Sequence, residues 1–434
     1  MTISFIAGGD AFITRALPKK SSKGFDEIRE LISKHDAAFL NLEMTFHNEE
    51  GYPAAASGGT WAMTDPHRLD DLLSYGFNLF STANNHSTDY GSEGVLATMN
   101  HLRERRMVFS GTGENLSEAS APCYLETPEA RIALISVTST FDPAGAAGSA
   151  GADHKGRPGL NPLRFKRQCK LKAEKLEGLK SIVKLSEANA VSELLVELGY
   201  RSAPAKNVVN FGGVEFVAVE DESEGALTVP NESDLKRICA EIKDARNQAD
   251  IVLVSLHAHE PKGKELQKSA AFIEEFCRRV IDEGADAVIG HGPHMLRGIE
   301  IYRGKPIFYS LGNFIFETET VLKQPADAYL CKGLPFDTRP GHYMNLRSKN
   351  GQAGYPAMKE IWSSVLASWT MENSKISEIK LYPLDLGQQL PRGRRGVPEP
   401  AKERAQDTLE TLRKLSAPYG TGLQIENGVG LVKI

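Results

Sequence analysis

The chain has 434 residues, 41% of them hydrophobic and 25% charged, with a formal net charge of −5 at pH 7. That length can bury a large core and the composition is ordinary for a globular protein. The negative balance gives no footprint for nucleic acid or an anionic membrane surface, and Cys123, Cys169, Cys239, Cys277 and Cys331, with no C-x-x-C pair, argue against a disulfide framework or a thiolate zinc site.

In chain order, Ile3–Ala7 is an apolar run that ends in Gly8-Gly9-Asp10. The residues before it carry no basic stretch and no long apolar segment follows, so the expectation is a cytoplasmic chain without a membrane anchor. Phe25, Ile28, Leu31 and Ile32 give a helical face. Ala37–Leu40 then runs into Asn41-Leu42-Glu43. A helix starts near Pro66 with Leu69, Leu72 and Leu73, and Phe77–Phe80 leads to Ala83-Asn84-Asn85-His86. A further helix begins near Ser92, and Ile132–Val137 is another strand. Short apolar runs between turn residues read as buried strands, and their alternation with helices predicts an α/β fold.

The stretch Phe141–Asn161, rich in Gly, Ala and Pro, reads as a loop, and residues 164–200 are Lys/Glu-rich with a helical period. Residues of about 141–230 are therefore expected to form a mostly helical insertion. The α/β alternation resumes at 232: a helix through Leu235, Ile238 and Ile242, then strand Ile251–Leu256 into His257-Ala258-His259-Glu260. A helix over 264–284 precedes strand Ala287–Ile289, which runs into Gly290-His291-Gly292-Pro293-His294. A strand over Pro306–Leu311 ends in Gly312-Asn313-Phe314. The expected organisation is one domain over 1–320 with the insertion inside it, and a C-terminal extension over 321–434 packed on the same domain.

Five strand ends carry Asp, Glu, Asn or His, and sites in open α/β sheets form at the carboxyl ends of strands. A carboxylate such as Glu43 at such a place is expensive unless it meets a cation, either a metal or a buried Arg or Lys. The inferred donors are Asp10, Glu43, Asn85, His257, His291 and His294. Oxygen and imidazole donors without thiolate suit Mn, Zn or Fe ahead of Mg. One or two ions are expected, with Glu43 able to bridge a pair. His86 can move a proton, oriented by Asp89 three residues on; Asp10 and His294 are further acid/base candidates. Arg15 and Arg297 are candidates to hold a substrate carboxylate, and Trp61 to stack on a substrate.

Gly9-Asp10, Asn41-Leu42-Glu43, Ala83-Asn84-Asn85-His86 with Asp89, His257 with Glu260, Gly290-His291-Gly292-Pro293-His294 and Tyr309–Phe314 together resemble the CapA family of poly-γ-glutamate capsule-synthesis proteins. That family is related to the calcineurin-like metallophosphoesterases. The resemblance implies a four-layer α-β-β-α sandwich and a metal site at the edge of its two sheets. It places His86 where phosphoesterases have a catalytic histidine. Two departures stand out: Asp10-Ala11-Phe12 replaces an Asp-x-His motif, and His259 stands where CapA proteins carry Gly. The implied activity is metal-dependent chemistry on a peptide or poly-γ-glutamate-type substrate, either at the amide bond or at Cα, as in peptide epimerisation. A phosphoesterase and a non-catalytic capsule-polymer assembly or binding protein are the alternatives.

Overall fold

The computed structural model describes residues 2–17, 23–220 and 223–434. It is a mixed α/β protein. Ala37–Leu42 is buried at every position, as is Ile251–His257. Strands covered on both faces belong inside parallel sheets, which is why these runs are apolar without alternation.

Thr2–Phe12 is the middle strand of the first large sheet. On one side Ala37–Leu42, Leu79–Ser81 and Val108–Ser110 follow in parallel. On the other, Ser363–Glu372 and Lys375–Asp385 continue it antiparallel, followed by Val429–Val432 and Leu423–Glu426. The short strand Asn313–Phe316 pairs with the carboxyl end of Thr2–Phe12. The second large sheet runs Ile299–Tyr302, Lys305–Phe308, Ala287–His291, Ile251–His257, Arg131–Thr138, Cys123–Glu126, its inner four strands parallel.

One apolar cluster draws on both sheets, through Phe5, Phe39 and Leu79 of the first and Leu134, Leu253, Ile289 and Phe308 of the second. Trp369 stacks on Phe5 with ring centroids 5.0 Å apart. A second cluster joins Ile28 and Ile32 of helix Lys23–Ile32, and Leu69 and Leu72 of helix His67–Leu73, to Ile6 and Leu40. Burying each such side chain contributes about 1.5–3 kcal/mol. Among the described residues no helix is long and apolar enough to cross a membrane.

The chain divides into two compact units: 1–162 with 236–269 and 277–434, and 163–235 with 270–276. The second corrects the expectation of a mostly helical insertion. Helices Ala173–Leu185 and Ala190–Glu197 are present, but Val208–Phe211, Val214–Val219, Phe165–Lys172 and Gly225–Pro230 form a four-stranded sheet beside them. In the strand Phe165–Lys172 the period of two set by Phe165, Cys169 and Leu171 is broken at Arg167. The helix expected over 264–284 starts only at Ala271, because Glu265–Ser269 pairs with Pro261–Lys262.

Candidate metal centre

The geometry begins with a bulge. The register of Thr2–Phe12 against Ala37–Leu42 shifts between Ala7 and Asp10, which re-aims the side chains beyond it. Gly9 allows this: a Cβ there would lie 1.8 Å from the Gly312 carbonyl oxygen. The Asp10 N–H donates to that same oxygen at 3.1 Å.

Asp10 is fully buried. One carboxylate oxygen accepts from Asn41 Nδ2 at 2.8 Å and the other from the Gly292 N–H at 2.9 Å. Nδ1 of His257 and of His291 stand 3.5 and 3.4 Å from Oδ1. Burial alone pushes the Asp10 carboxyl up, but its contacts with His257 and His291 outweigh this and hold it well below the usual carboxylate range.

Glu43 is equally buried, yet neither of its oxygens has a hydrogen-bond partner. Burial, and then the charges of Asp10 and Asp89, push its carboxyl well above the usual range. Oε1 lies 3.5 Å from His294 Nε2 and 3.7 Å from His257 Nε2. Leaving a buried acceptor unpaired costs about 1–3 kcal/mol, more when it is charged.

The histidines are held from behind. Ser255 Oγ is 2.7 Å from His291 Nε2, which turns Nδ1 to Asp10 and His257. Asn313 Oδ1 is 2.9 Å from His294 Nδ1, while its amide donates to the His294 and Ile361 carbonyls. His257 Nε2 sits 2.8 Å from Asn85 Oδ1 and 3.0 Å from His259 Nε2. Burial pushes His257 down to about 4, so the imidazole is neutral and able to bind a metal at pH 7. Asn84 donates to the Leu42 carbonyl at 2.7 Å, tying the Asn-Asn-His loop to the end of Ala37–Leu42.

His86 Nδ1 is 2.6 Å from Asp89 Oδ2, and Asp89 also accepts from the Gly58 and Ala62 N–H groups. That pairing leaves Nε2 of His86 free of Asp89. His86 lines a cleft of about 240 Å³ with Phe12, His259, His294, Gly58-Gly59-Thr60 and a wall from the C-terminal region that includes Met344, Arg347 and Tyr355. The Tyr355 ring stands edge-on to His294 with centroids 5.1 Å apart.

Asp10, Glu43, Asn85, His257, His291 and His294 are thus brought together, with the His86–Asp89 pair beside them. Arg15, Trp61 and Arg297 are placed elsewhere. Arg15 pairs with Glu317 at 2.6 Å and donates to the Gly393 and Arg395 carbonyls. Trp61 packs in the core and donates through Nε1 to the Ala54 carbonyl. Arg297, 1% exposed, directs its guanidinium to the carbonyls of Leu266, Ala258 and His259. Sequence reasoning missed His259, read only as a departure from a motif, and the wall over 344–356, which carries no local signal.

The residues fit a divalent cation. Three overlapping groups have donor atoms within 4.8 Å of one another: Asp10–His257–His291, Glu43–His257–His259 and Asp10–Glu43–His294. The unpartnered Glu43 oxygens are what a cation would satisfy.

Buried oxygen and nitrogen donors at the carboxyl ends of parallel strands, opening on a cleft, define the class: an α/β protein built around a potential metal site. The chain belongs to the bacterial capsule synthesis protein family PGA_cap, which matches residues 4–318. It is 34% identical to the uncharacterized protein y4uA of Sinorhizobium fredii, over 99% of this chain and 93% of that one. It is 24% identical to the PGA biosynthesis protein CapA of Bacillus subtilis, over 73% of this chain and 63% of the relative. The capsule biosynthesis protein CapA of Bacillus anthracis is also 24% identical, over 56% and 41%.

Proposed function

We propose that this chain is a metal-dependent enzyme acting on a carbonyl group of a peptide or poly-γ-glutamate-type substrate, at the amide bond or at Cα. In this reading the two sheets and their flanking helices form an α-β-β-α sandwich to which 321–434 belongs. Asp10, Glu43, Asn85, His257, His291 and His294 hold one or two Mn, Zn or Fe ions. Such an ion, when bound, supplies Lewis acidity toward a carbonyl oxygen.

The chain's own groups do the rest. His86, its Nδ1 committed to Asp89, keeps Nε2 for a proton at the cleft. Asp10 and His294, with Nδ1 of His294 3.7 Å from Asp10 Oδ2, are the further acid/base groups. Phe12 and Tyr355 give the cleft an apolar lining beside the donors. Phe12 also weighs against a phosphoesterase, because it removes an imidazole from the first strand end.

The observation that carries this reading is Glu43: a fully buried carboxylate with two unpartnered oxygens among histidines. A purely structural role leaves both oxygens buried without a partner, which proteins avoid whether the carboxyl is charged or protonated. The test is elemental analysis of protein purified without chelator or affinity metal, beside Glu43→Gln. We expect Mn, Fe or Zn in the parent and its loss in the variant. The loaded protein is then assayed on peptides and poly-γ-glutamate for hydrolysis and for deuterium uptake at Cα, with an aryl phosphate as control. A parent that stays metal-free after reconstitution with Mn or Zn defeats the proposal.

A further inference from the structure

His259 has three features that a bystander does not need. Its Nε2 faces Nε2 of His257 at 3.0 Å. With Glu43 and His257 it forms a donor group separate from the Asp10–Glu43–His294 group, the two sharing only Glu43. It also lines the cleft, so that this group opens toward a substrate.

A hydrogen bond between the two rings is the simpler account, and it falls short. A proton on His257 Nε2 already has an acceptor in Asn85 Oδ1 at 2.8 Å. Neither Glu43 oxygen has a hydrogen-bond partner among the described residues, the nearest ring nitrogens standing 3.5 and 3.7 Å from Oε1. A cation between Glu43, His257 and His259 satisfies the orphaned acceptor and the facing nitrogens together.

The backbone of His259 is fixed for such a task. Its N–H donates to Thr140 Oγ1 at 2.9 Å, and its carbonyl accepts from Arg297 at 2.9 Å. Arg297 also holds the Ala258 carbonyl at 3.2 Å. Thr140 and Ser139 donate in turn to the Glu260 carboxylate. Outer groups of this kind orient the residues that bind a metal. Arg297 is a positioning residue here.

We propose that His259 is a metal ligand, which with Glu43 and His257 holds a second divalent ion on the cleft side of the cluster. This rests on the metal reading above. The test is the stoichiometry of Mn²⁺ or Zn²⁺ binding to chelator-stripped full-length protein, by calorimetry and elemental analysis. The parent is expected to take up about two equivalents and His259→Ala about one. His259→Glu, whose carboxylate reaches about as far from the backbone as Nε2, restores the second for Zn²⁺. Thermal melting of the stripped variants checks that they are folded. Equal stoichiometry in the parent and His259→Ala overturns this inference and leaves the metal reading intact. No uptake by the parent overturns both.

Discussion

The two compact units differ in how much they bury. In the first, Asp10, Glu43, His257 and His291 are 0% exposed, within cores that also enclose Trp362 and Trp369. In the second, Leu176, Val183 and Val209 form one small buried cluster, and Leu163, Phe272, Ile273 and Phe276 are buried as well. Ile182, Leu185, Val191, Leu194, Leu198 and Tyr200 are each half exposed or more. The difference shows what a buried polar site requires. A domain keeps only about 5–15 kcal/mol of net stability, and each unpaired buried polar group removes about 1–3 kcal/mol. Only the unit with the large apolar cores can carry Glu43 and His47 with unpartnered polar atoms.

The sharpest way to break that comparison is at the backbone under the site. Gly9→Ala places a Cβ against the Gly312 carbonyl and is expected to cost about 3 kcal/mol or more. An unchanged urea midpoint, followed by Trp fluorescence, would mean that the approach of the two chain segments is not tight.

His47 comes next. Neither ring nitrogen has a hydrogen-bond partner among the described residues, Nδ1 standing 3.6 Å from Glu50 Oε2, and burial pushes the ring from 6.5 down to about 4. The unfolded chain therefore takes up this proton first as the pH falls. The stability contributed by the neutral ring is present above pH 6.5 and is lost as the pH drops toward 4. The full effect is roughly 3 kcal/mol. His47→Leu should flatten that part of the stability–pH curve; an identical acid slope in parent and variant would show that other groups set it.

In the second unit Leu176→Ala should cost about 2–4 kcal/mol, read as faster hydrogen exchange over 163–235. Bound metal and exchange in Ile251–His257 should not change. If exchange accelerates equally in both places, the units unfold together and the contrast drawn here fails. The smallest effect is expected from Leu185→Ser, at 84% exposure: within about 0.5 kcal/mol, with a larger loss indicating that the side chain is covered in solution.

The convergence of Asp10, Glu43, Asn85, His257 and His291 was legible because each sits at the end of a strand whose own apolar run announces it. They needed only the rule that such ends converge. Arg297 misled because three residues after His294 is close in the chain, while its guanidinium turns inward to backbone carbonyls. Arg15 misled in the same way, its charge being taken by Glu317. The sheet of the second unit was hidden because the alternation of Phe165, Cys169 and Leu171 with polar residues is interrupted at Arg167 and is followed by a long helical run.

Alone, the order of residues determined the α/β alternation, the polar strand ends and the family, since these depend on short-range patterns that survive without partners. Three things were decided only in the folded chain. Ser363–Glu372 pairs beside Thr2–Phe12, the region over 344–356 walls the cleft, and His259 turns to face His257. Each joins segments distant in sequence or fixes a rotamer through neighbours, and such choices follow from which arrangement buries the most apolar surface while leaving the fewest polar groups unpaired.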